Sequence, residues 1–552
     1  MRKGPIDKRI IVGAIVAVLV LVIVVIVVNL NIKKDDASHN GREKDSDVTD
    51  VITVEQGELT GIYNDDGTVA LFAGVPYAKP PVGELRWKEP VEPESWDGVR
   101  ACDTFEAMSM QSPQSAMLLN IDYCLKDYNN LSIKTDENGN ALCSEDSLYL
   151  NIFAPSDAKP GDDLPVIMFF HGGSLNSGQS YYPDQNGTTM AENGVIFITV
   201  PYRLGVFGYL ATEELAKESE NGTTGNYGLL DQIQALRWVS ENIEAFGGDA
   251  SNITLAGQSA GASAVNAMCV SPLCKGLFSK AIGESSSITG VNPPHTFRTY
   301  SEAVKTGNEI MNVHGANSIE NMRSINAEEL LNDMAVNTAM TIDGYALTEM
   351  PYITYEKGNN NESALLSGYN ANESMVYLMG ETGVTTTNYI NVINNCVGGH
   401  GETIAKILPA NTDEEALQNY MRIYGVAKFG YSHYAWSKAL TDNGCNAYLY
   451  YFAKDNGMSS NWHAGEQAYA YGNLDRSEIM HDETDEELSS IMTSYWVNFA
   501  KNGDPNGKGL PEWKSFNDAK NQIMVFDTES SMKYNEDIEL MIEIHNYQQS
   551  LK

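Results

Sequence analysis

The stretch Gly257-Gln258-Ser259-Ala260-Gly261 sets a serine between two glycines. Ile253-Thr254-Leu255-Ala256 before it reads as a short buried strand, and Ala262–Ala267 after it opens a helix of small residues. A G-x-S-x-G between strand and helix forms a sharp turn that lifts the hydroxyl above a sheet. A serine hydroxyl is a poor nucleophile until a base takes its proton, so Ser259 calls for a histidine. The chain has nine histidines. In folds built on this turn the acid and the histidine follow the serine, on loops at strand C-terminal ends. His463, in Asn461-Trp462-His463-Ala464-Gly465-Glu466, comes ten residues after the strand candidate Ala447–Ala453 and meets that condition. The acid stays open on these grounds: there are 73 Asp and Glu residues, and Asp343 serves as well as any. Backbone donors for a developing oxyanion are expected where Val166–Phe170 runs into His171-Gly172-Gly173-Ser174, and at Ala260 behind the serine.

The elements that must position these residues follow from hydrophobic patterning. Leu148–Phe153, Val166–Phe170, Val195–Tyr202, Ile253–Ala256 and Ala447–Ala453 are short runs of buried-strand type. Helical patterns separate several of them, most clearly Gly228–Phe246, with Leu229, Ile233, Leu236, Ile243 and Phe246 near a spacing of 3.6. Apolar strands alternating with amphipathic helices predict an α/β fold, a large and mostly parallel sheet with helices on both faces. Val51–Val54, Leu59–Tyr63 and Val69–Phe72, with the turn Asp65-Asp66-Gly67, predict a small antiparallel hairpin region ahead of it. No linker interrupts the body, so residues 51–552 read as one large domain.

The N-terminus is of another kind. Ile10 to Val28 is an unbroken apolar run of nineteen residues, long enough at 1.5 Å per residue to span roughly 30 Å of hydrocarbon. It exceeds the apolar core of a signal peptide, and Asn29-Leu30-Asn31-Ile32 offers no small-residue cleavage site. Residues 10–30 are expected to be a transmembrane signal-anchor helix, with a short cytoplasmic segment 1–9 and a flexible polar linker 31–50. Arg2, Lys3, Lys8 and Arg9 precede the run against Lys33 and Lys34 behind it, which puts the body on the extracellular face, or secretes it if the segment is cleaved. Net charge is −37, and beyond Lys34 there are 30 basic against 72 acidic residues. Such a field excludes nucleic acid and anionic lipid as surface partners and keeps the body soluble. Seven cysteines leave at least one unpaired, and no spacing suggests a metal site. Cys269 and Cys274 read as core thiols rather than a bridge.

With these residues in hand, the chain resembles the type-B carboxylesterase/cholinesterase family of α/β-hydrolase fold over nearly all of Val51 to Thr528. The blocks that carry the likeness are Phe72-Ala73-Gly74-Val75-Pro76-Tyr77-Ala78, Glu145-Asp146-Ser147-Leu148-Tyr149-Leu150-Asn151, Tyr202-Arg203-Leu204-Gly205, Asn226-Tyr227-Gly228-Leu229-Leu230-Asp231-Gln232 and Phe246-Gly247-Gly248-Asp249. The resemblance implies that the triad acid is a glutamate following a strand at Ala364–Gly368, which is Glu373. It matches His463 through Gly472-Asn473-Leu474, and assigns the oxyanion donors to Gly173, Ser174 and Ala260. It further implies a structural ion pair between Glu145 and Arg203.

The departures from the family pattern bear on substrate. Gln258 stands where the family usually has Glu, which removes a negative charge beside the serine. No Trp occurs between Ser112 and Ser144, where the cholinesterase branch holds a quaternary ammonium by cation–π contact. Choline esters are therefore not the expected substrates. Ser174 replaces the family's third oxyanion glycine, and Met110 and Ser147 stand where many relatives bridge two cysteines. The function expected is a carboxylic ester hydrolase acting on neutral small or medium esters through a Ser259–His463–Glu373 triad and an acyl-enzyme, with no metal or organic cofactor. The alternative is a catalytically inactive, extracellular carboxylesterase-like domain used in binding or adhesion.

Overall fold

The computed structural model describes residues 47–552, apart from 118, 294, 334–338, 458–459 and 478. The expected segments 1–9 and 10–30, and the linker as far as residue 46, lie outside the described residues. Among the described residues no helix is long and apolar enough to cross a membrane.

Eleven strands join one sheet. The first five are β1 (Ile62–Tyr63), β2 (Val69–Pro76), β3 (Tyr149–Pro155), β4 (Leu164–Phe170) and β5 (Ile196–Val200). The rest are β6 (Gly248–Gln258), β7 (Lys280–Glu284), β8 (Ala364–Asn370), β9 (Asn446–Phe452), β10 (Gln522–Phe526) and β11 (Ser531–Tyr534). Their order across the sheet is β11-β10-β9-β8-β7-β6-β4-β5-β3-β2-β1. From β5 through β10 neighbours run parallel. The two ends, β1-β2-β3 with its join to β5, and β11, are antiparallel.

The core explains why these runs are strands. Side chains alternate across a strand, so one strand can feed two cores. Val166, Met168 and Phe170 of β4 pack with Leu229, Ile233 and Leu236 of helix α1 (Tyr227–Asn242). Ile167 and Phe169 face the opposite layer, with Met492, Trp496 and Phe499 of a long helix over Glu483–Asn502. Strands buried on both faces lose the polar alternation of a solvated sheet, which is why β4 and β5 read as continuous apolar runs. The expected helix over Gly228–Phe246 is α1 followed by a tighter turn, Ile243–Phe246, stopped by Gly247 at φ 89°.

The expected hairpin forms, with Ile62 opposite Leu71, but it is the edge of the main sheet rather than a separate unit. A distinct three-stranded sheet is made by Ile52–Val54, Gly57–Thr60 and Val99–Ala101. Strand β7 carries no legible pattern: Lys-Ala-Ile-Gly-Glu is bounded by charges and owes its burial to β6 and β8 on either side.

The expected Glu145–Arg203 pair does not form. Arg203 lies against Asp231 on α1, Nη2 to Oδ1 at 2.7 Å and Nε to Oδ2 at 2.8 Å, both residues buried. Glu145 instead takes the fork of Arg86, Nε to Oε1 at 2.6 Å and Nη2 to Oε2 at 2.5 Å. The remaining edge of each guanidinium is taken by a backbone carbonyl, Arg203 Nη1 donating to that of Lys88 at 2.8 Å and Arg86 Nη1 to that of Ile325 at 2.7 Å, so the charges sort into two pairs. All seven cysteines are free thiols, five of them buried, Cys269 and Cys274 included. Ser147 meets Ser109, Oγ to Oγ at 3.0 Å.

Candidate active site

Strand β6 ends at Gln258, and Ser259 follows with φ 54° and ψ −123°, a conformation that side-chain-bearing residues avoid. The flanking glycines are needed for close approach. A Cβ on Gly261 would lie 2.0 Å from the Phe170 carbonyl oxygen, and one on Gly257 would lie 2.6 Å from the Gly261 carbonyl carbon. Helix α2 (Ala260–Val270) thus packs against β4 and β6 at backbone distance. The Ser259 N–H donates to the Glu284 carbonyl at 2.7 Å, and the Ser259 carbonyl accepts from Ser263 at 3.0 Å. The strained turn is held from both sides.

His463 and Glu373 come from the loops after β9 and β8, and those loops are laced together. The Asn372 N–H donates to the Asn461 carbonyl at 3.0 Å. Asn372 Nδ2 donates to Asn461 Oδ1 at 2.7 Å, and Asn370 Nδ2 to the Trp462 carbonyl at 2.8 Å. The result is a continuous relay: Ser259 Oγ to His463 Nε2 at 2.9 Å, and His463 Nδ1 to Glu373 Oε2 at 2.5 Å. Glu373 is 0% exposed, Ser259 6% and His463 9%, so the relay is buried throughout and driest at the glutamate. Asp343, the alternative acid, caps its own loop through the N–H groups of Tyr345 and Leu347 and takes no part.

Glu373 has further partners that sequence reasoning missed. Its Oε1 accepts from the Asn370 N–H at 2.8 Å and from Ser285 Oγ at 2.6 Å. Ser285 follows β7 directly, so the missed strand concealed it. Glu466, three residues beyond His463, is fully buried beside the same hydroxyl and is held by Asn370 Nδ2. Burial first, and then the charge of Glu373, pushes the Glu466 carboxyl above its usual range. Burial likewise raises Glu284, whose Oε1 accepts from Tyr471 and Trp496 while its Oε2 has no partner. Three carboxyls share one dry region, where burial and like charge hold Glu466 and Glu284 toward their protonated forms.

The glycine turn lies against the serine. A Cβ on Gly172 would sit 3.0 Å from Ser259 Cβ and 2.6 Å from Gln258 Oε1. Gly173 has φ 102°, and the next two residues carry side chains in the left-handed region, Ser174 at 55° and Leu175 at 61°. Ser174 therefore keeps the backbone course that a glycine would take, at a cost in strain. Among the described residues nothing accepts from the N–H of Gly173, Ser174 or Ala260. His171 braces the turn: it stacks on Tyr202 at 4.5 Å, and Nδ1 lies 2.8 Å from the Gly172 carbonyl. Burial lowers its pKa to about 4, so the ring is neutral and Nδ1–H donates. Phe429 and Tyr377 flank His463, at ring distances of 4.8 and 5.5 Å. Gln258 Nε2 approaches His463 Nε2 at 3.4 Å, bringing no charge to the serine.

A mostly parallel sheet whose central strand delivers a strained serine to an imidazole–carboxylate pair defines an α/β-hydrolase of the serine type. The model of the carboxylesterase family matches residues 48–541, and the chain belongs to that family. It is 30% identical over 497 residues to the fumonisin B1 esterase of Sphingopyxis macrogoltabida, covering 86% of each protein. It is 29% identical over 511 residues to the para-nitrobenzyl esterase of Bacillus subtilis, covering 88% of this chain and 96% of that one. Among solved structures, carboxylesterase Est55 of Geobacillus stearothermophilus superposes with a TM-score of 0.76 at 30% identity, over 90% of this chain and 99% of that one. The protein is a serine carboxylester hydrolase.

Proposed function

We propose that the protein hydrolyses neutral carboxylic esters of small or medium size through an acyl-enzyme carried by Ser259. The observation that bears most weight is the unbroken relay, Ser259 Oγ to His463 Nε2 at 2.9 Å and His463 Nδ1 to Glu373 Oε2 at 2.5 Å. Ser259 Oγ attacks the ester carbonyl as His463 Nε2 takes its proton, and Glu373 stabilises the imidazolium. The carbonyl oxygen, now an anion, takes the free N–H groups of Gly173, Ser174 and Ala260. The alkoxide leaves with the proton from His463. Water, deprotonated by His463 in turn, attacks the acyl group and frees Ser259.

Neutral esters fit because Gln258 supplies no charge beside the serine and the flanking walls are the rings of Phe429 and Tyr377. The domain, residues 51–552, is held at the outer membrane face by the apolar segment 10–30, with linker 31–50 as tether. The nineteen-residue run and the basic residues ahead of it support that topology. Labelling with a fluorophosphonate probe tests the chemistry. Wild type is expected to be labelled and Ser259→Ala not. An unlabelled wild type, or equal labelling of the variant, defeats the assignment.

A further inference from the structure

A tyrosine reaches the nucleophile from the wall of the site. Glu373 is followed by a single helical turn, Met375–Leu378, closed by the N–H groups of Tyr377 and Leu378 on the Ser374 carbonyl at 3.0 and 2.8 Å. The turn carries Tyr377 back over the relay. Its ring stands edge-on to His463 with centres 5.5 Å apart, and leans on Phe429 at 5.4 Å and Tyr424 at 6.2 Å. The residue is 44% exposed, but its hydroxyl end points inward, within hydrogen-bonding reach of the Ser259 hydroxyl.

The direction of that contact follows from the relay. His463 Nδ1 faces the Glu373 carboxylate at 2.5 Å, so as the base it carries its proton there and offers Nε2 as an acceptor. Ser259 has one proton and gives it to Nε2 at 2.9 Å, which leaves its oxygen free to accept. Burial of the phenol, and then the charge of Glu373, hold the Tyr377 pKa well above its ordinary range. Tyr377 therefore keeps its proton at neutral pH, as a donor beside the atom that forms and breaks the acyl bond.

A donor at Oγ counts differently in the two halves of the reaction, because only a contact that strengthens toward the transition state speeds a step. Before acylation Oγ is a hydroxyl oxygen, a good acceptor, and the bond is already made. In the acyl-enzyme Oγ is an ester oxygen, whose electrons are drawn toward the carbonyl, and it accepts weakly. In deacylation water adds to the acyl carbon as His463 Nε2 takes its proton. The carbon–Oγ bond then breaks, its electron pair goes to Oγ, and His463 returns the proton there. Tyr377 keeps its own proton throughout, and its bond tightens as Oγ gains charge.

We propose that Tyr377 is a catalytic residue of the second half-reaction: its O–H donates to Ser259 Oγ as that oxygen is expelled from the acyl-enzyme. The proposal rests on the esterase reading of Ser259 and His463.

Tyr377→Phe removes the hydroxyl and keeps the ring against His463 and Phe429. Wild type and variant are compared on p-nitrophenyl acetate, with kcat/KM reporting acylation. Acid quench at saturating substrate, followed by intact mass and peptide mapping, gives the fraction of Ser259 acetylated. Dividing kcat by that fraction gives the deacylation constant, whichever step limits turnover. The constant is expected to fall about three- to tenfold in the variant, the worth of one hydrogen bond, while kcat/KM stays within about twofold. The acetylated fraction rises accordingly. A deacylation constant within about twofold of wild type overturns the proposal, and so does a kcat/KM that falls as far as deacylation, the mark of a disturbed site. Absence of turnover of the ester by wild type overturns the esterase reading itself, and the proposal with it.

Discussion

Adding a single methyl group at Gly172 tests whether the glycine turn acts on the reaction by its position. Gly172 lies outside the left-handed region, so alanine is allowed by the backbone and the effect is purely one of space. The new Cβ would stand 3.0 Å from Ser259 Cβ, 3.0 Å from the Gln258 carbonyl oxygen and 2.6 Å from Gln258 Oε1. The amide tip of Gln258 can swing away; the other two atoms belong to the strained serine turn and cannot. Carbon–carbon contact settles near 3.5–4.0 Å, so turn and serine must part by about 0.5–1 Å. The donors of Gly173 and Ser174 move with the turn, away from the oxyanion that forms at Ser259. A misplacement of this size costs about 100-fold in rate, and loss of one oxyanion donor about 100- to 1,000-fold. A fall in kcat of ~100-fold, or ~2.7 kcal/mol of barrier, is the expected result, with KM little changed. The assay is steady-state turnover of p-nitrophenyl acetate with the rate of fluorophosphonate labelling, alongside a urea melt to show that the fold is intact. A kcat within about threefold of wild type in a folded Gly172→Ala enzyme would refute the reasoning.

Other perturbations read other parts of the molecule. Asp231→Ala leaves the Arg203 guanidinium buried and unpaired, and is expected to lower unfolding free energy by about 3–5 kcal/mol, read by chemical denaturation; a loss under ~1 kcal/mol counts against it. Glu466 has its pKa raised to about 7 by burial and by Glu373, so its contribution to stability is full below its ordinary range and is lost as pH rises through about 7. Glu466→Gln cannot ionise, and its thermal midpoint should fall less between pH 5 and pH 8 than that of wild type; an identical fall removes Glu466 from the account. With the apolar segment retained, activity in a fractionated cell should pellet with membranes and be released by protease cutting within residues 35–50. Activity wholly in the soluble cytoplasm refutes the topology.

Much of the site was legible because its residues obey local rules. Ser259 is announced by its glycines, and those glycines are demanded by backbone contacts, of Gly261 with Phe170 and of Gly257 with Gly261, that any Cβ would break. His463 follows from order along the chain and the strand before it. Glu373 did not: its selection depends on burial and on Ser285 and Asn370, which approach from 88 and 3 residues away and leave no pattern in the sequence. The same limit hid β7, whose five residues are ordinary until β6 and β8 enclose them. The Glu145–Arg203 pairing failed because ion pairs are settled by competition, and Asp231 and Arg86 offered each partner a better fork.

The seven free thiols have a consequence for where this protein can be made. Its chain closes every sheet-to-helix contact without a covalent crosslink, with Ser109 and Ser147 sharing a hydrogen bond. Folding is then indifferent to redox poise and needs no oxidase or disulfide isomerase on either side of a membrane. In an oxidising medium the thiols are protected as well, because burial pushes Cys102, Cys124 and Cys274 up to about 12 and leaves almost no thiolate to exchange. Half-buried Cys143, raised to about 11, shares that inertness. A reducing agent should leave the activity untouched.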